Sequence, residues 1–215
     1  MKQINQFITE YIIKKKLDKP IDSEDHYKYC PKTKDDLINI IHTLLDKGET
    51  NLNCIDTSNI TDMVRLFSNI SFKTKIKNVN IDISKWNVSN VESMKGMFFE
   101  YVSFNCDLSN WDVSNVKDMA FMFDGCKKFE GIGLEKWDVS NVKYMQYMFN
   151  NCENFKCKGL ENWNVSNVEN MISMFENCIN FDCDLSNWNV SNVENMNYMF
   201  DFCTSLKNKP SWYKE

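Results

Sequence analysis

The chain has 215 residues and a mass of 25.4 kDa, enough to bury a sizeable core. Hydrophobic residues make up 43% and charged residues 26%, which excludes an intrinsically disordered chain. The formal net charge of -5 falls on residues 54–215, so a basic nucleic-acid-reading surface is not expected. No apolar run approaches the roughly 20 residues that span a bilayer, so no membrane span is expected.

At the N-terminus, Ile4, Phe7, Ile8, Tyr11 and Ile12 fall on one face of a helix over residues 4–17, ending before Pro20. Leu37, Ile40, Ile41, Leu44 and Leu45 do the same over residues 34–47. Thr33 with Asp36 forms a capping-box start and Gly48 a stop. Residues 1–53 read as a helical N-terminal cap with a loop over 18–32. The opening segment lacks an uninterrupted apolar stretch and carries Glu10, so it does not read as a secretory signal. The expectation is a chain that stays where it is made, with its nine cysteines reduced.

Residues 54–215 are a tandem array. Trp86, Trp111, Trp137, Trp163 and Trp188 each open nearly the same run, such as WDVSNVKYMQYMF and WNVSNVENMISMF. A degenerate copy, IDTSNITDMVRLF, begins at Ile55, and a truncated one ends at Trp212. Self-similarity at about 25 residues is the signature of stacked repeats. Within one copy, Val168, Met171, Met174 and Phe175 mark one face of a two-turn helix, with Ser166 and Glu169 as its capping box. Phe181, Cys183 and Leu185 alternate, as do Trp188 and Val190, which predicts an extended segment bent near Ser186 and Asn187. The expected fold is therefore an α/β solenoid of about six strand-plus-short-helix units, with identical residues stacked in columns.

The run W-[DN]-V-S-N-V-x-x-M-x-x-M-F-x-x-C, closed by L-[SE]-x-W, resembles the BspA-like leucine-rich repeat surface proteins. That resemblance covers about residues 30–212. It implies a leucine-rich-repeat-like horseshoe or rod, a role in adhesion or protein binding, and no shared catalytic residues.

Two cysteine columns occur, Cys126, Cys152, Cys178 and Cys203, and Cys106, Cys157 and Cys183. They yield the C-x4-C pairs Cys152/Cys157 and Cys178/Cys183, which suit zinc or a disulfide. The partner position is Gly131 in one copy and Asn208 in another, which favours buried free thiols and no metal. The asparagine column Asn59, Asn90, Asn115, Asn141, Asn167 and Asn192 reads as buried turn-satisfying amides. Neither His26 nor His42 lies near a nucleophile-like signature, so no enzyme and no cofactor are expected.

The remaining candidates are surface columns. Lys85, Asn110, Lys136, Asn162 and Asn187 precede the Trp residues, and Asn87, Asp112, Asp138, Asn164 and Asn189 follow them. On alternation these ten face solvent and form the candidate partner-binding set. A second variable column lies ten residues after each Trp, at Gly96, Phe121, Tyr147, Ser173 and Tyr198. The leading expectation is a monomeric, non-catalytic protein-interaction or adhesin-like scaffold for a host or cellular protein or a glycan. The alternatives are an intracellular adaptor or effector-type regulator and a cysteine-based metal or redox protein.

Overall fold

A computed structural model describes residues 27–68 and 78–214. Its building block is the four-residue turn. In the copy that begins at Trp137, turns close at Val139–Val142, Met145–Met148, Phe149–Cys152 and Cys152–Phe155. In each, the fourth N–H donates to the first carbonyl at 2.9–3.2 Å. The corner residues are apolar and buried, and most residues between corners are exposed or half-buried. Each repeat is thus one coil whose corners point inward.

The α/β solenoid of strand-plus-short-helix units is not what the chain forms. The expected helix is interrupted by left-handed backbone at the same place in every copy. Phe121, Tyr147, Ser173 and Tyr198 have φ between 51° and 61°, as do Arg65 and Gly96. A second left-handed column follows at Glu100, Gly125, Asn151, Asn177 and Phe202. A right-handed helix cannot pass through such residues, whereas a type II turn requires positive φ at its third position. Corners three residues apart imitate a helical face, which is why Val168, Met171 and Met174 are buried without a helix.

The capping boxes expected within the repeats dissolve accordingly. The Ser166 hydroxyl donates to Asn164 Oδ1, and Glu169 pairs instead with Lys143 of the preceding coil.

Strands are replaced by single-residue contacts. Parallel bridges join Asp62, Ser93, Asp118, Tyr144, Asn170 and Asn195 in one column. They cannot lengthen, because the backbone folds back at once. Asp118 Oδ1 accepts the Ala120 N–H and Asn170 Oδ1 accepts the Ile172 N–H, and a left-handed residue comes next. Where a strand was expected before Trp137 and Trp163, there are 3-10 turns at Leu134–Lys136 and Leu160–Asn162. Each follows a glycine at positive φ. A Cβ on Gly133 would sit 2.2 Å from the Ser109 amide nitrogen of the previous coil, so only glycine fits there.

The helical N-terminal cap is not shown. The helix expected over residues 4–17 lies outside the described residues. Helix α1, Lys34–Asp46, is present with the Thr33–Asp36 capping box and a left-handed Gly48 after it. It buries Leu37, Ile40, Ile41 and Leu44 in the same core cluster as the coils. It enters the array as an insertion between Tyr29, which bridges Ile55, and Asn51, which bridges Asp82.

Coils are joined along a core of stacked rings. Phe98, Phe123, Phe149 and Phe175 stack at centroid distances of 5.5–5.6 Å. Trp111, Trp137 and Trp163 stack at 6.4 Å and within 5° of parallel. Each Trp also spends its indole N–H on the coil before it; Trp137 Nε1 donates to the Leu108 carbonyl at 3.2 Å. An indole buried without that acceptor would leave a donor unsatisfied at a cost of about 1–3 kcal/mol.

The backbone bonding between coils repeats the same pattern at each step. Met119, Phe121, Phe123 and Gly125 donate to the carbonyls of Tyr144, Gln146, Met148 and Asn150. Met145, Tyr147, Phe149 and Asn151 repeat this toward Asn170, Ile172, Met174 and Glu176. These four N–H groups face the next coil, whereas the N–H groups of Lys117, Lys143, Glu169 and Glu194 point back to the carbonyls of Glu92, Lys117, Lys143 and Glu169.

The nine thiols are not all free. Cys157 and Cys183 form a disulfide between adjacent coils with Cα atoms 6.2 Å apart. Neither C-x4-C pair is joined, because those cysteines belong to different columns. Cys126, Cys152, Cys178 and Cys203 donate instead to phenylalanine carbonyls of the preceding coil at 2.9–3.1 Å. Burial pushes the Cys203 thiol up to about 12 and the other three well above the usual thiol range. These four are poor nucleophiles and serve as core residues.

Candidate functional site

The Trp and Val corners hold a polar edge at a fixed spacing. All ten residues singled out from the sequence are exposed there: Lys85, Asn87, Asn110, Asp112, Lys136, Asp138, Asn162, Asn164, Asn187 and Asn189. The five after the Trp residues also have internal work. Asp112 Oδ1 accepts both the Ser114 N–H, at 3.1 Å, and its hydroxyl, at 2.6 Å. Asn87 and Asn164 hold Ser89 and Ser166 by the same pair of bonds. Asp138 and Asn189 accept the N–H groups of Ser140 and Ser191. These Asx turns begin the turn between the two Val corners. The Ser140 bonds hold the Asp138 carboxyl below the usual carboxylate range. Of the five that precede Trp, Asn110 reaches the Ser84 carbonyl at 3.4 Å, while Lys136 and Asn162 end the 3-10 turns.

The asparagine column lies next along the same edge, and it is exposed, not buried. Asn115, Asn141, Asn167 and Asn192 each donate at 2.7 Å to the carbonyl of the Ser one coil earlier. The expected satisfaction of turn carbonyls is therefore present, but each bond crosses between coils. Every Oδ1 is left beside solvent as an aligned acceptor.

Two residues further on is a charged column, whose Glu169 was expected to complete a helix capping box with Ser166. Glu92 accepts from Lys117 at 2.8 Å and Glu169 from Lys143 at 2.8 Å, each across one coil. Glu194 follows at the same position without such a partner, since no lysine occupies it in the neighbouring coil. The Lys117 bond draws the Glu92 carboxyl below its usual range, and the Lys143 bond does the same for Glu169. Aligned on Trp, the column reads Glu, Lys, Lys, Glu, Glu.

Asparagine and charged columns together border two shallow hollows. One, of about 440 Å³, is lined by Asn141, Lys143, Asn167, Glu169, Asn192 and Glu194. The other, of about 520 Å³, is lined by Asn59, Asn90, Asn115, Glu92 and Lys117 of the same two columns, with Ser58 and Thr61. Both are predominantly polar, open and repeated along the stack.

The repeat sequence is shared with other proteins. A family model described as "Mycoplasma protein of unknown function, DUF285" matches residues 40–132 and again residues 129–214. The chain belongs to the DUF285 family. No curated protein and no solved structure matches it. The two DUF285 segments meet near Gly131, so the family pattern runs through all the coils and takes in the second half of α1.

Elsewhere in this DUF285 chain, one buried carboxyl stands out. Asp124 lies 8% exposed at the second position of the Phe123–Cys126 turn, near Glu100 and Glu176. Burial, reinforced by those two carboxylates and opposed by a hydrogen bond from Asn151, pushes it up to about 7. Among the described residues, no group of three or more His, Cys, Asp or Glu is placed to hold a metal ion. No helix among them is long and apolar enough to cross a membrane.

Proposed function

We propose that this chain is a non-catalytic binding scaffold whose polar edge engages a protein or glycan. One observation carries the reading. Exposed amides recur at every coil, with a charged residue beside them in all but the first, and border open hollows on a stack held by ring columns. Such an edge offers a partner many weak, evenly spaced contacts over several coils, with few side-chain rotamers to freeze. The resemblance to BspA-like surface proteins supports adhesion as the setting. The Cys157–Cys183 bridge supports it too, because disulfides persist in oxidising surroundings.

The test compares two variants in capture from host and native lysates. Lys143→Ala, Glu169→Ala and Glu194→Ala together empty one hollow of charge. Asp112→Asn with Asp138→Asn keeps the Asx turns, as Asn87 and Asn164 show, and removes only the charge. Loss of a captured partner with the first variant, at unchanged melting, supports the edge as the binding face. Full capture by both variants, with loss on replacing Phe121 and Tyr147, would place binding elsewhere.

A further inference from the structure

The turns between the Met corners differ from the polar edge in carrying no charge over successive coils. Their central residues are Ala120 and Phe121 in one coil, Gln146 and Tyr147 in the next, and Ile172 and Ser173 after it. Asn197 and Tyr198 continue the series. The turns that follow in the same coils carry Asp124, Glu176 and Asp201, and the polar edge carries lysines and glutamates.

Two further features mark these uncharged turns. The first is a broken column of rings. Phe121 and Tyr147 are half-buried and stack at 4.8 Å, within 7° of parallel. Ser173 follows at the same position with its side chain buried, so no group projects there before Tyr198. Among the described residues, Tyr147 therefore has a ring on one face only. Gly96 and Ser173 show that the coil closes without a ring at this position. The second feature is an acceptor without a donor. Gln146 Oε1 is buried and unpaired among the described residues, and its column neighbours Ala120 and Ile172 have no polar side-chain atom to offer.

We propose that this face binds a neutral glycan chain laid along the stack. The apolar C–H face of one sugar rests on the open face of Tyr147, in the break above Ser173, where the electron-rich ring face meets weakly positive C–H groups. A sugar hydroxyl donates to Gln146 Oε1 once the half-buried amide turns outward, which ends the cost of an unpaired acceptor. An amide both donates and accepts, as a hydroxyl does, so Gln146 and Asn197 match either sense of bond. Charge selects among possible occupants. A folded protein or an anionic glycan brings charges that nothing on these turns can pair, whereas a neutral glycan brings none. The face is separate from the polar edge, and neither depends on the other.

The probe is an array of immobilised oligosaccharides, neutral ones built of glucose, galactose, mannose or N-acetylglucosamine beside sialylated and sulfated ones. The neutral member that retains the full chain best is then titrated by calorimetry. Retention should be confined to neutral members. Tyr147→Gly should weaken binding at least tenfold in a folded chain, since Gly96 fills the same position, and Tyr147→Phe should keep it, because the ring face makes the contact. Ser173→Tyr should fold, as its φ of 51° is close to the 58° of Tyr147, and by closing the break it should also weaken binding at least tenfold. The variant with alanine at Lys143, Glu169 and Glu194 should bind like the parent, which separates this face from the polar edge. Failure of every neutral oligosaccharide to bind, retention of acidic members alone, or parent-like binding by Ser173→Tyr would each overturn the proposal. So would a protein captured from lysate and lost with Tyr147→Gly while no oligosaccharide binds, which would assign the face to a protein partner.

Discussion

Replacing Asp124 by Asn should stabilise the protein above neutral pH and change little in acid. An unfolded Asp carboxyl ionises near 3.8, while burial in the coil holds Asp124 protonated up to about 7. Between those values folding takes up a proton, so the stability contributed by this group falls as pH rises through the window and levels off above it. A gap of about three pH units at about 1.4 kcal/mol each sets the full penalty at about 4 kcal/mol. The next coil shows how the substitution is accommodated, because Asn150 occupies the same position and donates to Glu176 Oε2 at 3.2 Å. Urea unfolding of parent and variant at pH 4 and pH 8 measures the difference directly, since other carboxyls cancel between the two. The variant should gain a few kcal/mol at pH 8 and stay close to the parent at pH 4. Equal stabilities at pH 8, or a difference that shrinks as pH rises, would refute a buried carboxyl forced to ionise.

Three further outcomes follow from the coil geometry. Trp137→Ala should cost about 3–5 kcal/mol in thermal or chemical unfolding, because the ring is 4% exposed between two Trp neighbours. Trp137→Phe should cost less, about 1–3 kcal/mol, mostly from the Leu108 carbonyl left without its donor. Cys183→Ser should lower stability under oxidising conditions by about 3.5 kcal/mol, the chain-entropy value for the sequence separation of 26, and by far less in reductant. Under denaturing, non-reducing conditions the parent should then titrate two thiols short of nine. At exposed Tyr198, with φ of 61°, Tyr198→Val should lose about 1–2 kcal/mol relative to Tyr198→Gly, as left-handed backbone penalises a β-branched residue.

The repeat, its period and its buried positions were legible because they follow from residue identity alone. Trp137, Val139, Val142, Met145, Met148 and Phe149 are all buried, as their recurrence implies. What joins them was not legible. A spacing of three suits one face of a helix and equally the corners of successive turns, and only the sign of φ at Tyr147 or Ser173 separates the two. Neither residue announces it, since Tyr and Ser rarely adopt positive φ. Gly96 and Gly125 were the available hints, one in each left-handed column. The disulfide was hidden for a different reason. Cys157 and Cys183 meet because the coil is one repeat long, whereas proximity along the chain drew attention to C-x4-C. The columns beside Trp are exposed, as alternation implied, but their engagement in Asx turns and the pairing of charges across coils emerged only from the coil's shape.

The uniform bonding between coils also bears on how such a gene can change. Neighbouring coils meet through the same Trp, Phe and backbone positions, so unequal recombination that removes one whole period rejoins compatible surfaces. Loss of residues 111–136 would set Trp137 on Trp86 and Phe149 on Phe98, and Lys143 would take the place of Lys117 opposite Glu92. Length could then drift in steps of one coil without a new core having to be found, while the Glu and Lys pattern on the edge is reshuffled each time. Variation in reach and variation in surface charge would arise from the same event.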